Sequence, residues 1–363
     1  MQRLRVCVAT GLYPPESGGP ATHTRMMEEF LPEENIAVSV LPFSTVRHLP
    51  HVVRHVVYFF LCIKHSIGVD VVFAQDTMSV GLPARLAAAL LLKPFIVRVP
   101  GDHVWEQGVA RFGVQQSLDE FPRWPLRPYL FFLRLLQKVV LFRAHVLVPS
   151  AYLRGIVEKW GVSPTRVQLI YNGISFADYG ACKIDAASHP LVVVLGRLVA
   201  WKKVDQVIDA VAQLPGSHLH IIGDGPERAL LEQRSVDRDT EDRVHFFGQL
   251  PHDEALMRVA AADMFVLNST YEGFSHTLVE AMHSGVPIIA TDIPGNREAA
   301  GDTVQYVLPG ENADDLVRAM QHMLQHPADS AERVLVAKQK AASFSTEHVA
   351  RELARYIRTI CTS

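Results

Sequence analysis

Residues 264–290 constrain the fold of this chain more than any other stretch. The apolar run Met264 to Leu267 ends in three polar residues, and a second apolar run follows from Val286 to Ala290. Between the two runs, Ser275 is an N-cap type of residue and Gly285 is a typical helix stop. A strand, a loop, a helix and a second strand in this order predict a parallel β–α–β unit.

This unit carries two carboxylates, Glu272 in the loop and Glu280 in the helix. The free N–H groups of residues 274–277 at the helix start would point at an anion, which the helix dipole also favours. Glu280 lies roughly 7 Å further along the helix axis, about the reach from a diphosphate to the ribose of one nucleotide. We therefore expect Glu280 to hold a ribose and Glu272 to face a sugar, although two solvated acids remain the simpler alternative.

The two glutamates stand inside a longer pattern, with STYEGF at 269–274, EAMHSGVPIIA at 280–290 and PGNRE at 294–298. This pattern resembles the donor signature of retaining glycosyltransferases of family 4. The resemblance implies the GT-B fold, in which two Rossmann-like α/β domains, each a doubly wound parallel sheet, face each other across a cleft. Strand and helix patterns alternate along the rest of the chain, as such sheets require.

A length of 363 residues exceeds one ordinary core and predicts two domains. We expect an acceptor-binding domain at 1–180 and a nucleotide-sugar donor domain at 181–343, joined by a polar linker at 178–190. The last segment, 344–363, carries an apolar stripe at helical spacing. In the GT-B fold such a terminal helix crosses back to the first domain.

The resemblance also assigns the donor site. Arg197 and Lys202 would hold the donor diphosphate, and Gly223 and Gly225 would lie near the nucleotide. A lone Arg/Lys pair is more often surface charge, but the spacing GRLxxxK matches the family. The remaining expected donor contacts lie at the start of the signature helix and within it: Glu272, Gly273, Phe274, Ser275, His276, Thr277 and Glu280.

In the first domain, Gly18 and Gly19 precede Pro20 at a helix start, where a backbone can approach a phosphate closely. The family carries such a loop here, so the resemblance assigns Gly18 and Gly19 a donor or acceptor contact, although ordinary tight turns have the same composition. Asp102 and His103 follow a predicted strand at 95–99, and ligands of parallel sheets bind beyond such ends. The family places a catalytic-site histidine here, so Asp102, His103 and Glu272 are the candidate catalytic residues. The alternative is a capping aspartate beside a surface histidine.

Charge is uneven along the chain. Residues 1–180 contain 18 Lys and Arg against 13 Asp and Glu, whereas the remainder contains 17 against 25. This asymmetry suggests an anionic membrane surface as a partner of the first domain. Nucleic acid is disfavoured, because no reading motif accompanies the charge. Residues 47–65 and 121–145 are apolar with interspersed cations, which fits a core helix or an interfacial one, and the core is favoured.

Four scattered cysteines and the absence of a signal-peptide pattern favour the cytoplasm, with peripheral attachment to the inner face of the membrane. No metal-ligand spacing is convincing, since the triplet Asp237-Arg238-Asp239 lies in a polar stretch away from any strand end. We therefore expect no metal and no cofactor, with a nucleotide diphosphate sugar as co-substrate.

Taken with the resemblance, these residues predict a retaining, hexosyltransferase-type enzyme that moves a sugar to a glycan or lipid-linked acceptor in cell-envelope polysaccharide or glycolipid synthesis. Two alternatives stay open. A nucleotide-sugar epimerase of related fold would use the same phosphate clamps without a separate acceptor. A non-catalytic sugar- or membrane-binding module would keep the fold without needing the two carboxylates.

Overall fold

A computed structural model describes residues 3–16, 18–114, 116, 118, 120–121, 127–175, 189–310 and 313–362. The chain divides into two compact units, one of Met1–Gly173 with Thr346–Ser363 and one of Ile174–Ser345. Residues 178–188 of the predicted linker lie outside the described residues. The domain boundary predicted between 180 and 181 falls in the same stretch.

The described strands are β1 (Leu4–Thr10), β2 (Ile36–Pro42), β3 (Val71–Ala74), β4 (Phe95–Arg98), β5 (His145–Val148), β6 (Val167–Leu169), β7 (Leu191–Leu195), β8 (His218–Ile222), β9 (Val244–Gly248), β10 (Met264–Leu267), β11 (Ile288–Thr291) and β12 (Gln305–Val307). The described helices are α1 (Gly19–Phe30), α2 (His51–Ser66), α3 (Gly81–Leu90), α4 (His103–Phe112), α5 (Pro128–Leu141), α6 (Ala151–Lys159), α7 (Val204–Ala212), α8 (Arg228–Asp237), α9 (His252–Ala260), α10 (His276–Ser284), α11 (Pro294–Ala300), α12 (Asp314–Gln325), α13 (Pro327–Ala342) and α14 (Thr346–Thr362).

The first unit is built on a six-stranded parallel sheet in the order β2-β1-β3-β4-β5-β6. Its strands are runs of β-branched and aromatic residues, as in β3, where all four side chains are buried. One sheet face packs against α1 and α14, whose Val349, Leu353 and Ile357 join the same buried cluster as Val8 and Phe73. The terminal helix therefore belongs to the core of the first unit.

The second unit repeats this architecture with a parallel sheet in the order β12-β11-β10-β7-β8-β9. Val192, Leu219 and Val266 from three neighbouring strands pack against Ile208 of α7 and Met320 of α12. Helices thus flank two parallel six-stranded sheets, and the predicted α/β architecture of two doubly wound domains is confirmed.

Each sheet reverses its direction of winding once. The reversal lies between β1 and β3 in the first sheet and between β7 and β10 in the second. Loops that leave the carboxyl ends of two such strands diverge above and below the sheet, which opens a crevice where ligands of α/β proteins bind. The strand order alone therefore predicts one ligand-binding crevice in each unit.

The core interpretation of residues 121–145 is correct for only one side of α5. Leu130, Leu133 and Val140 are buried, whereas Phe131 and Leu135 are exposed on the other side. The same division holds for α2, which exposes a second apolar side to solvent. Among the described residues, no helix combines the length and the apolar character that crossing a bilayer requires.

Candidate active site

The crevice of the second unit is formed by the loops that follow β7 and β10. The backbone N–H of Thr270 donates to the carbonyl of Trp201 over 2.8 Å, which joins the two loops. Directly beside this bond, Lys202 Nζ lies 2.5 Å from Glu272 Oε1. The predicted phosphate ligand and the predicted sugar ligand are therefore ion-paired with each other at the point where the sheet reverses.

Glu272 is held by groups that the sequence pattern did not single out. Ser269 Oγ donates to Glu272 Oε1 over 2.7 Å. Gly295, in the first turn of α11, packs so closely that a Cβ atom there would lie 2.0 Å from the carbonyl oxygen of Glu272. Only glycine permits this approach, so the PGNRE segment fixes the loop that presents Glu272.

Helix α10 begins at this loop, as predicted. Ser275 is its N-cap, and its hydroxyl accepts a hydrogen bond from the backbone N–H of Leu278. The first turn, which includes His276 and Thr277, carries no acidic side chain, so the positive end of the helix dipole is not neutralised there. Gly273 and Phe274 are buried below it. A helix start of this kind is suited to bind an anion.

Glu280 lies one turn into α10 with only 12% of its side chain exposed. Burial raises the pKa of this carboxyl above its ordinary value, and the positive charge that His252 can carry partly opposes the shift. The His252 Nε2 atom lies 3.5 Å from Glu280 Oε1. Sequence reasoning missed His252, because it begins α9 and no spacing relates it to the signature.

The loop after β8 supports the loop that carries Arg197. Gly223 has a φ of +132°, and a Cβ atom there would lie 1.9 Å from the carbonyl oxygen of Gly196. Gly225 lies similarly close to the carbonyl of Leu198. These glycines therefore pack against the backbone on both sides of Arg197, whose side chain is exposed.

The remaining predicted residues belong to the first unit. Gly18 is the N-cap of α1, which begins at Gly19 and follows β1 at the reversal of the first sheet. The facing loop after β3 contains Asp76, whose Oδ1 accepts hydrogen bonds from the backbone N–H groups of Met78 and Ser79. A Cβ atom on Gly11 would lie 2.7 Å from the other oxygen of Asp76. Asp76 had not been predicted as part of this crevice.

Asp102 and His103 occupy different environments. Asp102 is fully buried as the N-cap of α4, where Oδ1 accepts from the N–H groups of Val104 and Trp105. Its Oδ2 is ion-paired with Arg134 Nη2 at 2.8 Å. The carboxylate is thus occupied on both oxygens, as the alternative of a capping aspartate requires.

His103 is half-buried at the first position of α4. Burial lowers the pKa of its imidazole, and the carboxylates of Asp76 and Asp102 oppose that shift. The ring is therefore mostly neutral at pH 7, with one nitrogen able to donate and the other able to accept a hydrogen bond. Of the two candidates in this loop, His103 is the one whose chemistry is not already engaged in the fold.

The chain is a protein of the GT-B class. It has two helix-flanked parallel sheets, with a cation, a carboxylate and a helix start at the reversal of the second sheet. Sucrose-phosphate synthase from Thermosynechococcus elongatus has a similar structure, with a TM-score of 0.81, 20% identity and coverage of 99% of this chain and 100% of that one. HepE from Anabaena in complex with UDP and glucose matches with a TM-score of 0.77, 18% identity and coverage of 98% and 100%. At these identities the likeness concerns the fold.

The family follows from the sequence comparison. A family model described as Glycosyltransferase Family 4 matches residues 5–177, and one described as Glycosyl transferases group 1 matches residues 185–341. The chain belongs to glycosyltransferase family 4, the group 1 glycosyltransferases, and the resemblance stated from the sequence is confirmed.

Similarity to individual relatives is more local. The lipopolysaccharide core biosynthesis glycosyltransferase LpsE of Rhizobium meliloti is 36% identical over 114 residues, which are 31% of this chain and 33% of that relative. Alignments with the first curated relatives span about a third to a half of each relative's length. Family membership is therefore established over the chain, whereas shared donors and acceptors are not.

Within the described ranges, no group of three or more His, Cys, Asp or Glu side chains is placed to hold a metal ion. The structure brings together Lys202 and Glu272, and it places Glu280 in the helix that begins beside them. The other predicted residues lie in the first compact unit, Gly18 and Gly19 at the start of α1 and Asp102 and His103 at the start of α4.

Proposed function

We propose that this protein is a retaining glycosyltransferase that uses a nucleotide diphosphate sugar as donor and requires no metal or cofactor. The observation that carries the proposal is the arrangement of Lys202, Glu272 and the start of α10 at the reversal of the second sheet. The cation and the helix N–H groups would bind the diphosphate, with Arg197 beside them. Glu272 would then hold hydroxyls of the transferred sugar, and Glu280 those of the ribose.

In the reaction, the bond between the anomeric carbon and the diphosphate oxygen breaks and the diphosphate leaves with the electron pair. An acceptor hydroxyl oxygen bonds to the anomeric carbon, and its proton passes to an oxygen of the released diphosphate. Negative charge grows on the leaving diphosphate, so a positioned cation and helix start lower the barrier. His103, whose imidazole is mostly neutral, would exchange a hydrogen bond with a hydroxyl of a substrate held by the first unit.

The ion pair of Lys202 and Glu272 has a natural role in this scheme. Both side chains are largely buried, with 16% and 12% of their surfaces exposed, so neither charge is well solvated without a partner. When a donor binds, its diphosphate would replace Glu272 as the partner of Lys202. Glu272 would then be released to the sugar hydroxyls, whose hydrogen bonds would replace its contact with Lys202.

For the acceptor, we propose a glycan or a lipid-linked sugar of the cell envelope. HepE is recorded with UDP and glucose, and LpsE is named for lipopolysaccharide core biosynthesis. A nucleotide sugar donor and a glycan acceptor agree with both names. An acceptor of this kind lies at a membrane, so we place the protein in the cytoplasm with peripheral attachment to the membrane's inner face.

The experiment that tests the function combines the full chain with UDP-, GDP- and ADP-sugars, without acceptor, in the presence of EDTA or of Mg²⁺. Ligand-observed NMR follows binding and slow hydrolysis of the donor. We expect one nucleotide sugar to bind and to be hydrolysed slowly under both conditions. Conversion into an isomeric sugar would instead identify an epimerase, and binding without turnover would identify a non-catalytic module.

Glu280→Gln is expected to weaken binding of that nucleotide about 10- to 100-fold, because the ribose loses hydrogen bonds to a charged acceptor. Burial raises the pKa of Glu280. As the pH falls, the affinity of the wild type should therefore begin to decline at a higher pH than it would with an ordinary glutamate. The variant should lack this decline. Titrations across pH by calorimetry measure both effects, with the exposed Glu241→Gln as the matched control.

Glu280→Gln should weaken nucleotide binding without lowering the stability of the fold. The folded protein binds the Glu280 proton more tightly than the unfolded chain does, so stability decreases as pH rises from the ordinary glutamate pKa to the raised one. Glu280→Gln removes this loss and should unfold at an equal or higher temperature than the wild type at neutral pH. A variant that loses both affinity and thermal stability would contradict the assignment of Glu280 to ligand binding.

A further inference from the structure

Helix α5 carries an apolar stripe on the side that faces away from the core. Phe131, Leu135 and Val139 recur at intervals of four residues, so they lie along one side of the helix. All three are exposed, and Phe131 shows 62% of its surface. Since Leu133 and Val140 bury the opposite side, this stripe is not needed for packing of the unit.

Neighbouring helices continue the stripe into a surface. Helix α2 exposes Val52, Val56 and Phe60, again at intervals of four, and α3 exposes Leu86 and Leu90. Helix α3 contacts both α2 and α5, and the Arg85 guanidinium on α3 donates to the carbonyl of Phe142 just after α5. These exposed side chains of α2, α3 and α5 are called the apolar face below. Exposed apolar side chains grouped on adjacent helices usually mark an interaction site.

The three helices that form the apolar face carry charge of one sign. The sequences of α2, α3 and α5 contain no Asp or Glu. Lys64 at the end of α2 and Lys138 on α5 are exposed, and Arg143 is exposed immediately after α5. Apolar and aromatic side chains surrounded by cations are the combination that binds at the surface of a bilayer with anionic lipids.

We propose that the apolar face is a docking surface for a membrane containing anionic lipids, with the exposed side chains of α5 and α2 inserted among the head groups and Lys64 and Lys138 paired with lipid phosphates. A second copy of the chain fits this surface less well. In a symmetric dimer the same patch contacts itself, so its cations would be brought together without an acidic side chain on these helices to pair them. This inference rests on the proposed function only in that a membrane-bound acceptor gives the protein a reason to bind a membrane. Lipid binding itself is measured without donor or acceptor.

The test is co-sedimentation of the full chain with vesicles of phosphatidylcholine alone or mixed with phosphatidylglycerol. We expect binding to the mixed vesicles that weakens as salt is raised. Phe131→Gln combined with Leu135→Gln should lower the bound-to-free ratio at least about tenfold, since two inserted side chains are lost. Leu230→Gln combined with Leu335→Gln is the matched control, because these leucines are equally exposed on helices of the other unit.

A second pair of variants separates charge from insertion. Lys64→Glu combined with Lys138→Glu should abolish the preference for phosphatidylglycerol without affecting the thermal unfolding midpoint. Failure of the wild-type protein to bind mixed vesicles would overturn the proposal, as would equal losses in the control pair. Light scattering of the same samples identifies the rival, a dimer that dissociates in the Phe131/Leu135 variant. Donor binding by NMR, measured in parallel, should be unchanged in every variant, so a failure of docking is distinguishable from a failure of the proposed function.

Discussion

Replacing Lys202 by glutamine is expected to lower turnover of the donor about 100- to 1,000-fold, the usual effect of removing one group that stabilises transition-state charge. The lysine is largely buried, and an electrostatic interaction is stronger there than in water. Because negative charge increases as the diphosphate leaves, the loss should fall on kcat more than on KM. Rates of donor hydrolysis by the purified variants provide the measurement.

Lys203→Gln is the matched control. Lys203 is the adjacent residue and the same substitution removes the same charge, but its side chain has no assigned role in the site. We expect turnover within about twofold of the wild type, as for most substitutions away from a site. A comparable loss in both variants would show that the overall positive charge of the loop matters, and not the position of Lys202.

A double-mutant cycle with Glu272→Gln distinguishes a catalytic pair from a structural one. If Lys202 served only to neutralise Glu272, the double variant would regain the activity lost by the single variant. We expect instead that the double variant is at least as slow as either single one, because the sugar and the diphosphate each lose a ligand. Unfolding midpoints measured on the same proteins separate this result from loss of stability.

Asp102→Asn is expected to reduce the free energy of unfolding by about 3 kcal/mol, because it leaves the mostly buried Arg134 without its carboxylate. Asparagine retains the ability to cap α4, so the change isolates the ion pair from the cap. Arg134 keeps its hydrogen bond to Gln137 and its position over the Trp160 ring, which do not supply the lost negative charge. Urea denaturation gives the value directly.

His103→Gln is the companion variant, and we expect the opposite division of effects. It should reduce the free energy of unfolding by less than about 1 kcal/mol while lowering turnover roughly tenfold, the effect of one lost hydrogen bond to substrate. Turnover per folded molecule should be unaffected in Asp102→Asn. If that variant is slow and stable while His103→Gln is active, the roles of the two residues are reversed.

Local features of the fold were predictable from the sequence because short-range spacing encodes them. Strand β10 begins and ends where the predicted apolar run does, and α10 lies between the predicted cap Ser275 and the predicted stop Gly285. The order Glu272, helix start, Glu280 is likewise a property of one continuous segment. Hydrogen bonds and side-chain periodicity within a segment act over a few residues, so neighbouring residues are sufficient to predict them.

The partners of these residues were decided by the tertiary structure alone. Lys202 meets Glu272 across 70 positions because β7 and β10 are neighbours where the sheet reverses, and strand order is not written in the periodicity of either strand. For the same reason His252 beside Glu280, Gly295 against Glu272 and Arg134 on Asp102 could not be predicted. The sequence showed that the segment containing α5 is apolar with interspersed cations, and only packing determined which side of the helix remains exposed. The sequence by itself thus determined the segments and the family, and the tertiary structure determined which charges lie together, because that depends on contacts between segments far apart in the chain.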